Sequence, residues 1–429
     1  MAQAKLNQGT DQEPDQDNGN GNSNKNKNKN KNGNGNDRLP LRFWIVASIN
    51  FINAISFTIL IPILYPYAKA FGLSDFQASL LTTVYALSQF VATPILGRCS
   101  DAWGRKPLLV SSLAGTALSN LVASVTPFAW LLFAARFFDG LTGGNTSIAA
   151  AVISDTTTPG DRARAFGLFD ASLRLGFMTG PAISYFAQKI PTFPGVSHLG
   201  MSFFAATVMA TIATLVTLFY LPETLKNPRP LVLDWNLFNV KGWARSLKNK
   251  TIANVILLTF LSGTTFTLFT FALQPFFLHV LGQKIENIAI LITLVGISGV
   301  ATQFFVVGRI TKAFNLAIVL LVALTIRGFI FLAMPTFPNL LTFTGLTILL
   351  GAVNAFPLPI MTSILTLKSS EQEQGEVLGL SSSALSIANA IGPALAGAMV
   401  TLSYDTPFYI SGVLTLCVAG FALFLRSDL

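Results

Sequence analysis

Long apolar stretches without charged residues alternate with short polar segments along almost the whole chain after residue 40. A helix of about 20 apolar residues is long enough to cross the hydrocarbon core of a bilayer. The pattern predicts twelve such spans, at approximately residues 43–64, 76–96, 107–126, 128–153, 165–187, 199–221, 251–279, 287–307, 313–334, 339–361, 377–402 and 407–425. We therefore expect an all-α, polytopic membrane protein.

The composition agrees with this expectation. Of the 429 residues, 52% are hydrophobic and only 11% are charged, and a soluble core cannot bury that much apolar surface. The first 37 residues are polar and do not resemble a cleaved signal sequence, so the first span is expected to direct insertion. The two cysteines, Cys99 and Cys417, lack metal-like spacing and are interpreted as packing residues.

Basic residues between the spans predict the orientation. An even number of spans puts both termini on one side, and that side carries 22 lysines and arginines. The opposite side has three, at Lys69, Lys189 and Lys284. Because basic loops stay in the cytoplasm, we expect both termini to be cytoplasmic, in the plasma (inner) membrane.

A polar interruption and an internal repeat divide the chain. The expected parts are a disordered cytoplasmic tail (1–40), a six-helix bundle (41–221), a cytoplasmic loop (222–250) and a second six-helix bundle (251–429). GLFDASLRLGFMTGP at 167 is echoed by GLSSSALSIANAIGP at 379, an offset of 212 residues. Two pseudo-symmetric bundles in the same order predict a pocket between them near mid-membrane.

An unusually charged segment, GRCSDAWGRKP at 97–107, joins the second and third spans. It resembles motif A of the major facilitator superfamily and departs from it at Cys99 and Ala102. RFFDG at 136–140 resembles motif B, PET at 222–224 resembles the usual exit from span six, and the glycines of span five resemble the antiporter motif without its final pair. The resemblance covers nearly everything after residue 40, and it is closest to the twelve-helix drug:proton antiporters of the tetracycline-efflux type.

The resemblance implies two groups of structural residues. The gating group is expected to be Gly97, Asp101, Gly104, Arg105, Lys106 and Asp155. The helix-packing group is expected to be Gly167, Gly176, Gly180 and Pro181, with Gly392 and Pro393 in the second half.

Asp101 carries the gating hypothesis. We expect it to cap the start of span eleven, where a carboxylate is favoured by the helix dipole, and to pair with Arg105. Arg105 in turn is expected to reach Asp155, which locks the cytoplasmic gate of the outward-open state. The alternative is a solvated loop that serves only the orientation bias.

Five ionisable residues lie within the predicted spans: Arg136, Asp139, Asp170, Arg174 and Arg327. Each would cost about 2.5–3.5 kcal/mol at the bilayer centre, so most are expected to face protein or a wet cavity. The first four form two pairs spaced three and four residues apart, which places each pair on one helix face. Either pair can bind a proton and respond to substrate, or simply tie helices together.

Asn53 is a departure with consequences. The tetracycline-type branch carries an aspartate at this place in span one, and asparagine cannot carry a proton. We therefore expect Asp139, where motif B commonly has glutamine, to have taken over proton coupling. Span nine, which carries Arg327, is usually peripheral, but its unmatched charge would suit a weakly acidic substrate.

Uncharged polar side chains are candidates for the cavity wall or for hydrogen bonds between helices: Gln89, Asn145, Gln274, Gln303 and Asn354. No cofactor or metal is expected, and no phosphate-binding loop of an ATP-driven pump occurs.

The leading hypothesis is a monomeric secondary exporter of small amphipathic compounds by proton antiport, with no nucleic-acid partner. The alternatives are an uncoupled metabolite or sugar facilitator and a sensor without transport. A membrane enzyme is disfavoured because His198 and His279 lie in different halves at the outer surface.

Overall fold

The computed structural model describes residues 39–158, 161–228, 230–231, 243, 245–370 and 373–423. All regular secondary structure in these residues is helical. The α-helices are α1 Leu41–Thr58, α2 Leu64–Ala70, α3 Asp75–Trp103, α4 Arg105–Val125, α5 Ala129–Thr142, α6 Asn145–Thr156, α7 Arg162–Ala187, α8 Gly200–Tyr220, α9 Lys250–Pro275, α10 Ile285–Thr302, α11 Gly308–Ala313, α12 Leu316–Thr336, α13 Leu340–Val353, α14 Pro357–Lys368, α15 Gln374–Val400 and α16 Thr406–Ala422. Two π-helical segments, Phe276–Val280 and Gln303–Val307, continue α9 and α10.

These helices account for the twelve predicted spans. Across the described ranges, nine helical segments are long and apolar enough to cross a membrane. The remaining predicted spans correspond to the pair α5 and α6, to α7 and to α16. The first is split, α7 carries four charged residues, and α16 has only 17 residues. The predicted all-α membrane architecture is confirmed. Most of the predicted tail (1–40) and parts of the predicted 222–250 loop lie outside the described residues.

Three predicted spans are broken near their middle or end. Span one is interrupted between α1 and α2, around Pro62. Span four breaks at Gly143 and Gly144, and span ten breaks at Asn354, just before Pro357. Proline lacks the N–H that continues a helix, and glycine is the weakest ordinary helix former, so these residues set where the helices break.

Span five packs closely against span one through its glycines. A Cβ on Gly180 would overlap the Thr58 hydroxyl, and a Cβ on Gly176 would overlap that of Ala54. The Thr58 hydroxyl donates to the carbonyl oxygen of Gly176 at 3.0 Å. Glycine therefore lets the two backbones approach closely enough for this hydrogen bond.

The second half repeats this packing between spans seven and eleven. A Cβ on Gly392 would overlap the Thr267 hydroxyl, and Gly263 meets Ala388. The Thr267 hydroxyl donates to the carbonyl oxygen of Ala388 at 3.0 Å. Gly180 and Gly392 are 212 residues apart, so the sequence repeat corresponds to a repeated helix contact.

We call the helix ends near residues 41, 104, 156–162, 220 and 250 the inner ends, and the opposite ends the outer ends. One apolar core, which includes Ile63, Phe203, Phe271 and Phe408, joins both halves of the chain at the outer ends. Two separate cores lie at the inner ends, one in the first half and one in the second. The halves therefore share buried surface mainly on the outer side.

Hydrogen bonds between the halves also lie towards the outer ends. The Thr83 hydroxyl on α3 donates to the carbonyl oxygen of Ala390 on α15 at 2.9 Å. The Gln274 amide on α9 donates to the carbonyl oxygen of Ile61 at 2.8 Å. The described structure is thus closed on the outer side.

Candidate functional site

A buried ion pair lies within the first half, on α5. The Arg136 guanidinium donates to the Asp139 carboxylate at 2.6 Å, and the two residues are 3% and 4% exposed. The spacing of three residues places both on one helix face, as predicted. Arg136 Nε is buried and has no hydrogen-bond partner among the described residues.

Tyr85 on α3 covers this ion pair. The Arg136 guanidinium carbon lies 4.3 Å from the centroid of the Tyr85 ring, a cation–π arrangement. Gln89, one turn along α3, donates to the Tyr85 hydroxyl at 3.1 Å and to the Gly143 carbonyl at 2.9 Å. Gln89 therefore ties Tyr85 to the break in span four.

Tyr85 was not among the sequence candidates. A tyrosine in the middle of a predicted span, one helical turn from Gln89, is the signal that would have found it.

Asn53 and Asn145 bind each other. Each side-chain amide donates to the other's oxygen, at 3.3 and 3.1 Å. Asn145 begins α6 immediately after the break in span four. The residue that stands in place of the expected acid is thus part of a neutral hydrogen-bonded pair.

Three aromatic rings, those of Phe57, Tyr85 and Phe177, lie side by side and form a wall in the first half. Phe57 lies 5.5 Å from Tyr85 and 6.1 Å from Phe177, measured between ring centroids. Asn53 and Phe57 are spaced four residues apart within α1, so they share one face of that helix. In the turn that follows α1, the backbone carbonyl of Ile61 accepts a hydrogen bond from Gln274 of the other half. The wall therefore combines flat apolar rings with neutral amides.

Asp170 and Arg174 are expected from their spacing to form an ion pair. Among the ion pairs of the described residues, in which the charged atoms lie within 4.0 Å of each other, this pair does not occur. The two charges still interact electrostatically along one face of α7. Asp170 is exposed and Arg174 half-buried. Two of the five intramembrane charges thus lie on the accessible part of α7, without a contact ion pair between them.

Arg327 on α12 is almost completely buried, at 1% exposure. Its guanidinium donates to the Ser262 hydroxyl at 2.9 Å, to Thr265 at 3.2 Å and to the Asn354 amide oxygen at 3.3 Å. These partners are neutral, and no carboxylate pairs with Arg327 within the described ranges. Arg327 thus links spans seven, nine and ten beside the end of α13, whose carbonyl groups favour a positive charge.

The two remaining glutamine candidates lie in different surroundings. The Gln274 amide nitrogen binds across the closed outer interface, and its amide oxygen is buried without a partner in the described part of the chain. Gln303 begins the second π-helical segment, and its amide oxygen is likewise buried with no partner among those residues. Gln274 is therefore an interface residue in this conformation.

A charged cluster lies at the inner ends of α3 and α4. Arg105 is 8% exposed, and its guanidinium contacts Asp101 at 2.5 Å and Asp155 at 3.1 Å. It also donates to the Ser100 hydroxyl at 2.6 Å. These are the two ion pairs expected from the sequence, and they hold α3, α4 and α6 together.

Glu223, which the sequence interpretation left without a role, completes this cluster. Its carboxylate accepts hydrogen bonds from the backbone N–H groups of Arg105 at 3.0 Å and Lys106 at 3.1 Å, and so caps α4. Burial would raise the pKa of Glu223, but four backbone N–H donors outweigh burial and hold the pKa below its usual range. The carboxylate is therefore matched to the positive end of α4.

Gly104 permits this cap. Its φ is 108°, a conformation that favours glycine, and a Cβ there would lie 3.2 Å from the Glu223 carboxyl carbon. Gly97 has a looser environment, with only the Ser147 hydroxyl 4.0 Å from an added Cβ. Of these two motif glycines, Gly104 is the one whose substitution the backbone and the space both oppose.

The cap expected from Asp101 on span eleven is not formed. No side chain caps α15 from the N-cap position Glu373, and Asp101 binds Arg105 instead. In the first turn of α15, Glu376 accepts a hydrogen bond from the Ser246 hydroxyl at 2.7 Å. Contact between Asp101 and the start of α15 requires the inner ends of the two halves to meet. In this structure the halves share their apolar core at the outer ends instead.

The packing residues also divide. Gly176, Gly180 and Gly392 make the close helix contacts described above, and Pro181 and Pro393 are buried inside their helices. Gly167 does not make the expected close contact, since no described residue lies within 4 Å of a Cβ placed there. It is exposed on the inner part of α7 and brings no second element close.

The model of the Major Facilitator Superfamily matches residues 46–250 and 255–428. The chain belongs to this family of membrane transporters and is an integral, multi-pass membrane protein rather than an enzyme. The predicted family and fold class, two pseudo-symmetric halves with twelve spans, are confirmed.

Relatives in sequence include proteins of tetracycline and multidrug resistance. The chain is 29% identical to the class C tetracycline resistance protein of Escherichia coli, over 83% of this chain and 88% of that protein. It is 27% identical to multidrug resistance protein 2 of Bacillus subtilis, over 89% of this chain and 94% of that protein.

Solved structures show the same fold. The human organic anion transporter MFSD10 aligns with a TM-score of 0.69 at 20% identity, covering 90% of this chain and all of that one. An inward-facing, occupied bacterial homologue of the human lysosomal transporter Spinster aligns with a TM-score of 0.72 at 14% identity, covering 90% and 96% of the two chains.

Proposed function

We propose that this protein exports small amphipathic compounds in exchange for protons, by alternating access of a pocket between its halves. Membership of the major facilitator superfamily supplies the transporter class. The relatives described above, a tetracycline resistance protein and a multidrug resistance protein, support export of drug-like compounds.

The observation that carries the proposal is the buried ion pair of Arg136 and Asp139. A charged pair inside a membrane is costly and is typically retained for a functional reason. Proton binding to Asp139 competes with its ion pair to Arg136, so a substrate that perturbs Arg136 or Tyr85 changes proton occupancy. Asp139 is the proton-binding residue in this proposal, in place of the acid missing at Asn53.

The distribution of apolar cores supports alternating access. The shared outer core and the separate inner cores are what an inward-open transporter needs. In the opposite state, the outer core must separate and the inner ends must meet. The cluster of Asp101, Arg105 and Asp155 then faces the start of α15, where Asp101 is available to cap it.

The substrate site in this proposal lies against the wall formed by Phe57, Tyr85 and Phe177, with Asn53 and Asn145 beside it. Aromatic rings stack on flat apolar compounds, and neutral amides bind their polar groups. The transporter is proposed to act as a monomer in the inner membrane, with both termini in the cytoplasm. Proton release then occurs on the inner side.

One observation favours a second candidate, an uncoupled facilitator. Asn53 is hydrogen-bonded to Asn145 and carries no proton, so the route expected in span one is absent. If Arg136 and Asp139 remain paired throughout the cycle, they serve only to hold the helices together. A sensor without transport has no comparable support from the described residues.

Proton-driven flux in vesicles tests the proposal. Candidate substrates come from a screen of expressing cells for altered resistance or uptake, with and without an uncoupler. In reconstituted vesicles under a pH jump, Asp139→Asn is expected to abolish flux driven by the proton gradient, while exchange of substrate down its own gradient persists.

Asp170→Asn is the matched control, because it neutralises an exposed acid in the same half. It is expected to retain proton-driven flux. Undiminished proton-driven flux in Asp139→Asn would eliminate Asp139 as the coupling residue. Substrate flux in the wild type that does not depend on the proton gradient would favour the facilitator.

A further inference from the structure

A second cluster of titratable groups lies at the outer ends of the helices and shares no residue with the ion pair of Arg136 and Asp139. The Tyr65 hydroxyl on α2 donates to the Asp75 carboxylate at 2.7 Å, and the Lys69 ammonium contacts the same carboxylate oxygen at 2.9 Å. His279 Nε2 lies 3.2 Å from the Tyr65 hydroxyl. His279 belongs to the second half, so this cluster bridges the closed outer gate.

The hydrogen bonds of Tyr65 determine which group donates the proton in the contact with His279. Because the Tyr65 hydroxyl gives its proton to Asp75, the bond from His279 requires a proton on Nε2. The neutral ring meets this with its Nε2–H tautomer, and the imidazolium ring meets it with an additional positive charge. Since Tyr65 is 1% exposed and Asp75 half-buried, the charge is only partly screened.

We propose that His279, with Tyr65 and Asp75, forms a proton-binding site at the outer gate, and that proton binding favours the closed gate. A charge-assisted hydrogen bond is roughly twice as strong as a neutral one, and the imidazolium is attracted through Tyr65 to the Asp75 carboxylate. His279 is exposed, so protons reach it from the outer solution.

Two neighbours determine the size of the effect. The Lys69 ammonium opposes a second positive charge beside Asp75. Tyr404 stacks on the imidazole at 5.1 Å between ring centroids, but it lies in the same half as His279 and stays with it when the gate opens. Burial, followed by the Asp75 charge, raises the pKa of Tyr404, so this ring remains neutral. The difference between open and closed states therefore comes from Tyr65, Lys69 and Asp75.

The inference goes beyond the proposed function and rests on it only for the orientation of the membrane. In an exporter that exchanges protons, the outward-open state must close after it releases its substrate. A site that binds an external proton and favours closure accelerates this return step at acidic outer pH. His279 stays on the outer side throughout, so it senses protons and does not carry them across.

Distances across the outer gate test the proposal without any transported compound. Spin labels at Phe193→Cys and Leu402→Cys, both exposed and in different halves, are placed in the full chain in nanodiscs after Cys99 and Cys417 are replaced by alanine. Distance distributions are measured at about pH 5.5 and about pH 8, either side of the ordinary pKa of histidine. Acid is expected to raise the closed-to-open ratio by about fivefold, the low end of typical couplings.

Variants separate the proton site from general acid effects. His279→Gln keeps an N–H donor for Tyr65 and is expected to show the same ratio at both pH values. Lys69→Gln is expected to enlarge the pH effect, because it removes the opposing charge.

An unchanged pH response in His279→Gln, or an acid-induced opening in the wild type, would overturn the proposal. Because no flux is measured, the two proposals can fail separately. Undiminished proton-driven flux in Asp139→Asn would overturn the proposed function and leave this inference standing, whereas an unchanged pH response in His279→Gln would overturn this inference and leave the proposed function standing.

Discussion

Substitution of Gly180 by alanine tests the close contact between spans one and five. An added Cβ would overlap the Thr58 hydroxyl and lie 2.8 Å from the Thr58 Cβ and 2.9 Å from the Ile59 backbone nitrogen. Backbone atoms cannot rotate away as a flexible side chain can, so α1 and α7 must separate. The hydrogen bond from Thr58 to the Gly176 carbonyl is then lengthened or lost.

The magnitude follows from two contributions. Overpacking of a well-packed interior costs about 1–3 kcal/mol, and a lost hydrogen bond costs about 0.5–1.5 kcal/mol. Alanine recovers up to about 1 kcal/mol through its better helix propensity. We expect a net destabilisation of about 1–3 kcal/mol, measured as a lower midpoint of thermal unfolding of the purified protein.

Two companion variants sharpen the measurement. Gly167→Ala lies on the same helix with nothing within 4 Å of the added Cβ, so it is expected to be neutral or slightly stabilising. Gly392→Ala is expected to destabilise as Gly180→Ala does, because Thr267 occupies the equivalent place. If Gly180→Ala and Gly167→Ala unfold at the same temperature, the close approach of α1 and α7 is not needed for stability.

Three further predictions concern charged groups. Glu223 stabilises the fold at pH values above its ordinary pKa, and this contribution is lost as the pH falls through its lowered pKa in the folded state. Glu223→Gln should therefore reduce the loss of thermal stability between about pH 5 and pH 3. An unchanged pH profile of stability would count against the cap. Arg105→Lys should be less stable than the wild type by about 1–2 kcal/mol in thermal unfolding, since one ammonium cannot reproduce the separate contacts to Asp101 and Asp155; equal stability would mean that charge alone suffices. Arg327→Gln should retain stability better than Arg327→Ala, because glutamine keeps a donor for the neutral partners of this arginine, and the reverse order would show that its charge is required.

The spans were predictable because each is long, apolar and bounded by charge, and lipid leaves a chain few alternatives to a helix. The sequence could not decide where a span breaks. The predicted fourth span runs through Gly143 and Gly144, which are compatible with a continuous membrane helix until neighbouring helices are known. Predicted loop residues such as Asp101 proved helical because α3 continues beyond the apolar stretch to Trp103.

Contacts within a helix were easier to predict than contacts across the chain. The pairing of Arg136 with Asp139 followed from their spacing. Asp170 and Arg174 have an equally suitable spacing, but their helix face is open on one side and the ion pair does not form. Glu223 lies over 100 residues from the helix that it caps, and no local pattern indicated that contact.

Anchors at both ends of the central segment limit what the segment itself can do. Glu223 is bound to α4 in the first half, and Ser246 is bound to α15 in the second. Each end of the segment is therefore held by its own half, and each end moves with that half when the inner ends move apart.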